Sequence, residues 1–236
     1  EIGKYKIDEG IEKNFLLCID ILKKNGIELK EISIPSIPYS LSVYYIIAFS
    51  EASSNLARFD GVRYGLRVEE DSLKKMYTET RRLGFGKEVK RRILLGTFAL
   101  SSGYYEQWYL KASKVRNLIT NDLQNAFKEV DVLMFPTTPL LPFKIGEKIR
   151  DPIQMYLSDI MTIPINLAGI PAISIPTGVY NNLPIGMQLC SNYLEESKIY
   201  KISSLLEKEI NFRRNIWYNI KGLRDKIKFL ISCLSI

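Results

Sequence analysis

The sequence predicts an α/β fold, as one domain or part of one, and three observations support this. A helix–turn–strand pattern opens the chain, which is typical of a sheet with helical crossovers. A long helical stretch occupies the middle, and short apolar runs bounded by turn residues begin near residue 130. The length of 236 residues is ample for one large core.

The first helix is predicted from apolar residues that recur with a spacing near 3.6. They are Ile11, Phe15, Cys18, Ile19 and Leu22. Lys23, Lys24 and Gly26 are suited to ending this helix, because cations and glycine favour a helix C-terminus. A strand is predicted over residues 27–34, although its alternation slips phase once, and Pro35 ends it.

Four helices are predicted in the middle of the chain, over residues 41–56, 72–82, 87–100 and 104–127. Gly61 and Gly65 predict a loop after the first of them, and Gly84 and Gly86 separate the second from the third. The fourth has the clearest apolar stripe. Its members are Trp108, Ala112, Val115, Ile119, Leu123 and Ala126.

Short strands follow, over residues 130–135, 172–175 and 185–190. Pro136 is expected to end the first and Pro176 the second, because proline lacks the N–H that a ladder needs. Asn181 and Asn182 form a tight-turn candidate, so the third strand is expected to pair back on the second. A last helix is predicted over residues 194–209.

The composition excludes several kinds of chemistry. There is no histidine, which removes Ser-His-Asp and Cys-His catalysis and every metal site built on imidazole. Cys18, Cys190 and Cys233 are odd in number and far apart, so free buried thiols in a reducing compartment are expected. No apolar run reaches the length of a membrane span. We therefore expect a soluble, cytoplasmic protein without a metal.

The last segment is the most basic part of the sequence. Residues 211–236 hold six Lys and Arg against one Asp, a net charge of +5 out of +7 for the whole chain. We predict a basic C-terminal helical tail on a single partial domain that covers residues 1–236. The tail is either a contact for RNA or for an acidic partner, or a solvated surface helix.

Three positions stand out as candidate binding residues. In a helix over 87–100, Glu88 and Arg92 are i,i+4 partners and Arg91 points about 100° away from Arg92, so one arginine is expected to face inward. Asp159 lies among apolar neighbours and is either an N-cap or a buried, paired charge. Tyr44, in an apolar helix, is expected to pack with its hydroxyl at the edge. A cation and an anion in one cleft would suit a zwitterionic amino acid.

The serine-rich segment Ser101-Ser102-Gly103 is a weak candidate for a nucleophile loop. It lacks the preceding glycine of a nucleophile elbow, and no histidine is present to act as its base. Ser and Gly cap helix ends well, so a helix junction is the expected role.

Several collinear blocks resemble the amidase-signature family. They are residues 50–65, 84–96, 101–105, 136–139 and 166–176. The blocks containing Phe59-Asp60-Gly61 and Gly84-Phe85-Gly86 are similar to the A subunits of tRNA-dependent amidotransferases that act on Glu-tRNA(Gln). The resemblance implies a mixed β-sheet core flanked by helical layers.

The resemblance also implies what this chain lacks. These enzymes cleave an amide with a Ser nucleophile, a second Ser in a cis peptide and a Lys base. Both serines belong to a Gly- and Ser-rich loop, with the Lys further toward the N-terminus, and no such loop occurs in this sequence. We therefore expect a C-terminal half of the subunit, with no catalytic residue of its own and no glutaminase activity alone.

By the same resemblance, glutamine is held by Arg92 at its α-carboxylate, Asp159 at its α-ammonium and Tyr44 at the side of the pocket. Released ammonia would pass to a kinase-like B subunit, in a heterotrimer with a small C subunit. That partner uses ATP and magnesium to phosphorylate the glutamyl group on tRNA, so no cofactor is expected in this chain. The alternatives are a stand-alone amidase of the same fold and a non-catalytic scaffold that docks partner subunits.

Overall fold

Helices precede and flank a small sheet in the computed structural model, which describes residues 1, 5–145, 155–156 and 158–212. The α-helices are α1 (Glu9–Lys24), α2 (Ser40–Leu56), α3 (Leu73–Gly84), α4 (Lys87–Ala99), α5 (Lys111–Ala126), α6 (Ile163–Ala168) and α7 (Glu196–Ile210). The strands are β1 (Val132–Pro136), β2 (Ala172–Tyr180) and β3 (Leu183–Ser191). The chain divides into a helical unit, residues 39–118, and a sheet unit, which holds residues 1–38 and those from 119 onward.

The sheet is antiparallel, in the order β1-β3-β2. Asn181 and Asn182 both have positive φ, 51° and 63°, which is the turn that joins β2 tightly to β3. The expected end of β2 at Pro176 is wrong, because the strand runs on to Tyr180 with a register shift between Pro176 and Gly178. A proline is accommodated there because β2 has a bulge and lies at the edge of the sheet that the described residues form. Pro136 likewise lies within β1, as its last residue.

The core of the sheet unit lies where α1 and α7 cover one face of the sheet. Its buried members are Ile11, Cys18, Leu22, Ile175, Ile185, Met187, Leu189, Ile199 and Leu206. One polar pair is buried beside them. The Asn14 amide donates to the Thr177 carbonyl over 2.9 Å and accepts from the Thr177 hydroxyl over 2.6 Å. This pairing satisfies the backbone at the bulge of β2 from the side of α1.

The predicted strand over residues 27–34 is wrong. This stretch follows α1 without joining the sheet that the structure describes. It contacts side chains outside the sheet instead: Lys30 pairs with Glu129 at 2.6 Å, and the backbone N–H of Ile34 donates to the Glu1 carboxylate at 2.7 Å. The phase slip in the apolar pattern is consistent with this, because neither face of a strand would be uniformly apolar.

The helical unit is organised around the packing of α2 against α4. Gly96 of α4 is buried, and a Cβ there would collide with the backbone carbonyl of Phe49 in α2. The Ser53 and Thr97 hydroxyls hydrogen-bond across the same helix pair at 2.9 Å. Close approach of the two backbones therefore requires glycine at position 96.

The long helix predicted over residues 104–127 begins differently from the prediction. Residues Glu106–Leu110 form a π-helix, in which Leu110 N–H donates to the Tyr105 carbonyl at 3.0 Å, before α5 starts at Lys111. A π-turn adds a residue to the helical repeat and shifts the phase of the stripe. Ile119 and Leu123 are fully buried as predicted, whereas Trp108 is exposed.

Cys18 and Cys190 are buried free thiols, as predicted. Burial raises the pKa of Cys18 to about 11 and raises the pKa of Cys190 further in the same direction. Cys233 and residues 213–236 of the predicted tail lie outside the described residues. Among the helices that the structure describes, none combines the length and apolar character of a membrane span.

Candidate functional site

Two of the three predicted binding residues belong to the packed pair α2 and α4. Tyr44 lies on α2 and contacts Tyr45 edge to face, with ring centroids 5.2 Å apart. Tyr45 in turn contacts Phe49 at 5.3 Å, and the Arg92 guanidinium of α4 lies 5.8 Å from the Phe49 ring centroid. A continuous series of aromatic rings therefore connects Tyr44 to Arg92 within the helical unit.

Glu88 holds Arg92 from the other side. Arg92 Nε donates to the Glu88 carboxylate at 3.2 Å, which is the predicted i,i+4 pair. Arg91 uses the second oxygen of the same carboxylate at 2.7 Å. One arginine faces inward, as expected: Arg92 points toward the Phe49 ring of α2. Neither arginine is fully buried, because both side chains are partly exposed and share the Glu88 carboxylate.

This placement leaves Arg92 available for an anion. Its Nη1 and Nη2 groups donate to no residue that the structure describes, while Nε and the ring of Phe49 fix the plane of the guanidinium. The two Nη groups form the end of a planar fork that matches a carboxylate bidentately. Both contacts reduce the conformational freedom lost when an anion binds.

Asp159 lies in the sheet unit, in a turn that leads into α6. Its backbone carbonyl accepts hydrogen bonds from the amides of Thr162 and Ile163, at 3.0 and 3.1 Å. The residue is exposed, so the buried-charge alternative is wrong. The N-cap alternative is also wrong, because Thr162 immediately precedes α6. Asp159 therefore belongs to the sheet unit, whereas Arg92 and Tyr44 belong to the helical unit.

The serine-rich segment lies at a helix junction, as predicted. It follows the end of α4, and the Ser101 hydroxyl donates to the carbonyl of Phe98 at 2.8 Å. Such a bond to the last turn of a helix is an ordinary capping arrangement. Nothing in its geometry marks Ser101 as a nucleophile.

Sequence reasoning did not find two features that define the surroundings of Arg92. Phe49 is one of many apolar residues in α2, and no local pattern relates it to a residue 43 positions later. The pairing of Glu88 with both arginines was also not predicted, although its i,i+3 and i,i+4 spacings to Arg91 and Arg92 permit it. That spacing is the signal that could have found it.

The family comparisons agree with these motifs. The amidase family model matches residues 1–200. The A subunit of glutamyl-tRNA(Gln) amidotransferase from Geobacillus kaustophilus is 51% identical over 209 residues, which cover 88% of this chain and 43% of that protein. The Thermotoga maritima protein of the same name is 47% identical over 91% of this chain and 45% of its own length. The predicted resemblance is confirmed, and the chain spans less than half the length of these relatives.

Solved structures show the same relationship. The crystal structure of the Thermotoga maritima glutamyl-tRNA(Gln) amidotransferase A subunit superposes with a TM-score of 0.67 and 40% identity, over 88% of this chain and 40% of that one. A crystal structure of an amidase superposes with a TM-score of 0.66 and 22% identity, over 86% of this chain and 43% of that one. At that identity it supports the fold alone. The predicted α/β fold of the amidase-signature type is confirmed. Within the described residues its strands are antiparallel.

Proposed function

Since the chain belongs to the amidase family, we propose that it is part of the glutamine-hydrolysing A subunit of an amidotransferase that converts Glu-tRNA(Gln) to Gln-tRNA(Gln). The observation that carries the proposal is about 50% identity over 88% of the chain to proteins of that name. In the complete subunit, glutamine is hydrolysed and the ammonia is passed to a partner. The proposed partners are a kinase-like B subunit and a small C subunit, and the B subunit binds the ATP and magnesium.

The proposed contribution of this chain is to bind glutamine. Arg92 takes the α-carboxylate, Asp159 the α-ammonium, and Tyr44 lines the pocket. The support from geometry concerns Arg92 most directly, because its two Nη groups are available and its plane is fixed by Glu88 and Phe49. Asp159 is exposed, so a ligand can reach this residue from solvent.

The experiment compares two neighbouring arginines in the complete subunit, in complex with its partners. Arg92→Ala removes a bidentate, charge-assisted contact, so we expect the KM for glutamine to rise by roughly tenfold to a hundredfold. Arg91→Ala is the matched control, because Arg91 pairs with the same Glu88 carboxylate. We expect its KM to stay within about twofold of wild type. Steady-state ammonia release measures both.

Equal effects of the two substitutions would remove Arg92 from the glutamine site. Hydrolysis of simple amides by the complete subunit without partners, and indifference to glutamine, would favour a stand-alone amidase instead. We further propose that the 236-residue chain alone releases no ammonia, because the resemblance implies that the serine nucleophile, the second serine and the lysine base belong to the other half of the subunit. Partner binding by this chain with no glutamine binding would favour the scaffold alternative.

A further inference from the structure

Gln188 is a buried polar residue in the central strand of the sheet. It is 5% exposed, and β3 pairs with β1 on one side and with β2 on the other. Its neighbours Met187 and Leu189 belong to the core that α1 and α7 cover. Successive side chains of a strand point to opposite faces, so Gln188 lies on the face of the sheet that is turned away from that core. A buried amide in that position needs a hydrogen-bond partner.

The partner of Gln188 lies in residues 158–162, which we call the Asp159 turn. Gln188 Nε2 donates to the backbone carbonyl of Met161 over 3.2 Å, and this bond is buried. Met161 is itself 2% exposed and follows Asp159 by two residues. The bond therefore fastens the Asp159 turn to the middle of the sheet, beside a residue that is proposed to bind glutamine.

Hydrogen bonds within the turn pass this position on to Asp159. The Asp159 carbonyl accepts from the backbone N–H and the hydroxyl of Thr162, each over 3.0 Å, and from the N–H of Ile163 over 3.1 Å. The Asp159 N–H donates to the Tyr156 carbonyl over 3.1 Å. Both backbone groups of Asp159 are therefore held. A shift of Met161 away from the sheet would shift Asp159 with it.

We infer that Gln188 is a positioning residue for glutamine binding, because it holds the Asp159 turn where the Asp159 carboxylate meets the α-ammonium of the ligand. The inference rests on the proposed function, which assigns the α-ammonium to Asp159. Asp159 is exposed, so burial of its own side chain does not fix its place, and the backbone beneath it must do so. A binding group needs such support, because a displacement of about 1 Å is enough to weaken a polar contact strongly.

A role in stability alone would have a different signature. Loss of a structural hydrogen bond lowers the fraction of folded enzyme, but it does not change the preference of each folded molecule among ligands. Displacement of Asp159 weakens only those ligands that carry an α-ammonium. Glutaramate, which is glutamine without its α-amino group, is therefore the reference ligand.

The test uses the complete subunit with its partners and follows glutamate formation from glutamine, with glutaramate as a competitive inhibitor. Gln188→Met removes the donor but keeps an unbranched side chain of similar length, so the strand stays packed. We expect the KM for glutamine to rise about threefold to tenfold, the worth of one positioned hydrogen bond. The kcat and the inhibition constant of glutaramate should stay within about twofold of wild type.

A second variant at the same position keeps the inference testable if Gln188→Met does not fold. Gln188→Asn retains an amide but shortens the side chain by one methylene, so the amide no longer reaches the Met161 carbonyl. It should also raise the KM for glutamine and leave the inhibition constant of glutaramate unchanged.

Asn14→Leu is the matched control. Asn14 is also a buried amide, 8% exposed, and it donates to the Thr177 carbonyl over 2.9 Å from the α1 side of the sheet. Its loss should lower the melting temperature, but both the KM for glutamine and the inhibition constant of glutaramate should stay within about twofold of wild type.

Asp159→Asn separates this inference from the proposed function. It should raise the KM for glutamine more than Gln188→Met does, and adding Gln188→Met to it should have no further effect, because the two residues act through one contact. If Asp159→Asn raises the KM and the Gln188 variants do not, the inference is wrong and the proposed function stands.

Three other results would also overturn the inference. The first is a rise in the inhibition constant of glutaramate equal to the rise in KM, and the second is an equal rise in KM in Asn14→Leu. The third is full additivity of Gln188→Met and Asp159→Asn. A KM unchanged in Asp159→Asn would instead remove Asp159 from the proposed glutamine site, and the inference would fall with that assignment.

Discussion

The sheet unit buries a larger share of its apolar residues than the helical unit does. In the sheet unit, Met187, Leu189 and Leu206 are completely buried between the sheet and two helices. In the helical unit, Leu73, Leu94 and many aromatic side chains are exposed. The sheet unit thus has a core of its own, whereas the helical unit carries the Arg92 site and presents apolar surface. We infer that stability is concentrated in the first.

The two units also differ in net charge. The basic C-terminal segment accounts arithmetically for most of the net charge of +7. That total divides into +6 for the helical unit, residues 39–118, and +1 for the sheet unit, in which the charge of +5 on residues 211–236 offsets acidic residues elsewhere. Net charge along the sequence therefore pointed to the tail as the basic region. The fold shows a second basic region, in residues 39–118.

The largest expected effect tests the core of the sheet unit. Leu206→Ala removes a fully buried side chain from α7 and leaves a cavity, so the free energy of unfolding should fall by about 3 kcal/mol. Leu194→Ala is the control, because Leu194 is 92% exposed in the same unit, and it should change stability by less than about 0.5 kcal/mol. Urea denaturation followed by circular dichroism measures both. Equal losses would refute the claim that the sheet unit holds the stabilising core.

Sequence periodicity predicted the elements whose burial is one-sided. The stripe of α1 agrees with the structure, because this helix has an apolar face that must be covered. The bounds of α2 and α4, predicted from an apolar run and from flanking glycines, agree to within one residue. The β2–β3 hairpin was equally predictable, since Asn181-Asn182 marks its turn chemically.

Features that depend on distant residues were not predictable. The bulge of β2 next to Pro176 is stabilised by hydrogen bonds between Thr177 and Asn14, which lies 163 residues earlier in the chain. The failure of residues 27–34 to form a strand depends on the absence of a pairing strand among the described residues. At the candidate site, local spacing gave the Glu88–Arg92 pair, but only packing of α2 on α4 brings Phe49 to Arg92.

A second, smaller effect tests whether the helical unit depends on one close contact. Gly96→Ala should destabilise the unit by about 2 kcal/mol, because the new methyl group collides with the backbone of α2. This outweighs the gain in helix propensity of about 1 kcal/mol that alanine brings. Gly103→Ala is the control, since no atom lies within 4 Å of a Cβ there.

Hydrogen exchange separates the units in that experiment. Amides of α2 and α4 should lose protection in Gly96→Ala, while those of β3 keep theirs. Equal loss of protection in β3 would mean that the two units unfold as one cooperative body. The two units would then differ in structure but not in their free energy of unfolding.

The smallest effect concerns pH and again distinguishes the units, because both described cysteines, Cys18 and Cys190, lie in the sheet unit. Burial raises the pKa of Cys18 from 9.0 to about 11, so the folded chain keeps this proton at pH values where the unfolded chain has lost it. Between pH 9 and pH 11 the unfolded state therefore binds fewer protons, and stability falls as pH rises. The contribution of one thiol is at most about 1.4 kcal/mol per pH unit.

Cys18→Ala removes that contribution, so its unfolding free energy should fall less steeply between pH 9 and pH 11 than that of the wild type. Leu17→Ala, at the exposed neighbouring position of α1, should keep the wild-type slope. Urea denaturation at several pH values gives the slopes, and comparison between variants cancels the titration of the many tyrosines and lysines. Identical slopes in all three proteins would show that the Cys18 thiol becomes accessible without unfolding of the sheet unit. In that case the core around α1 opens locally, and the sheet unit is less rigid than its burial indicates.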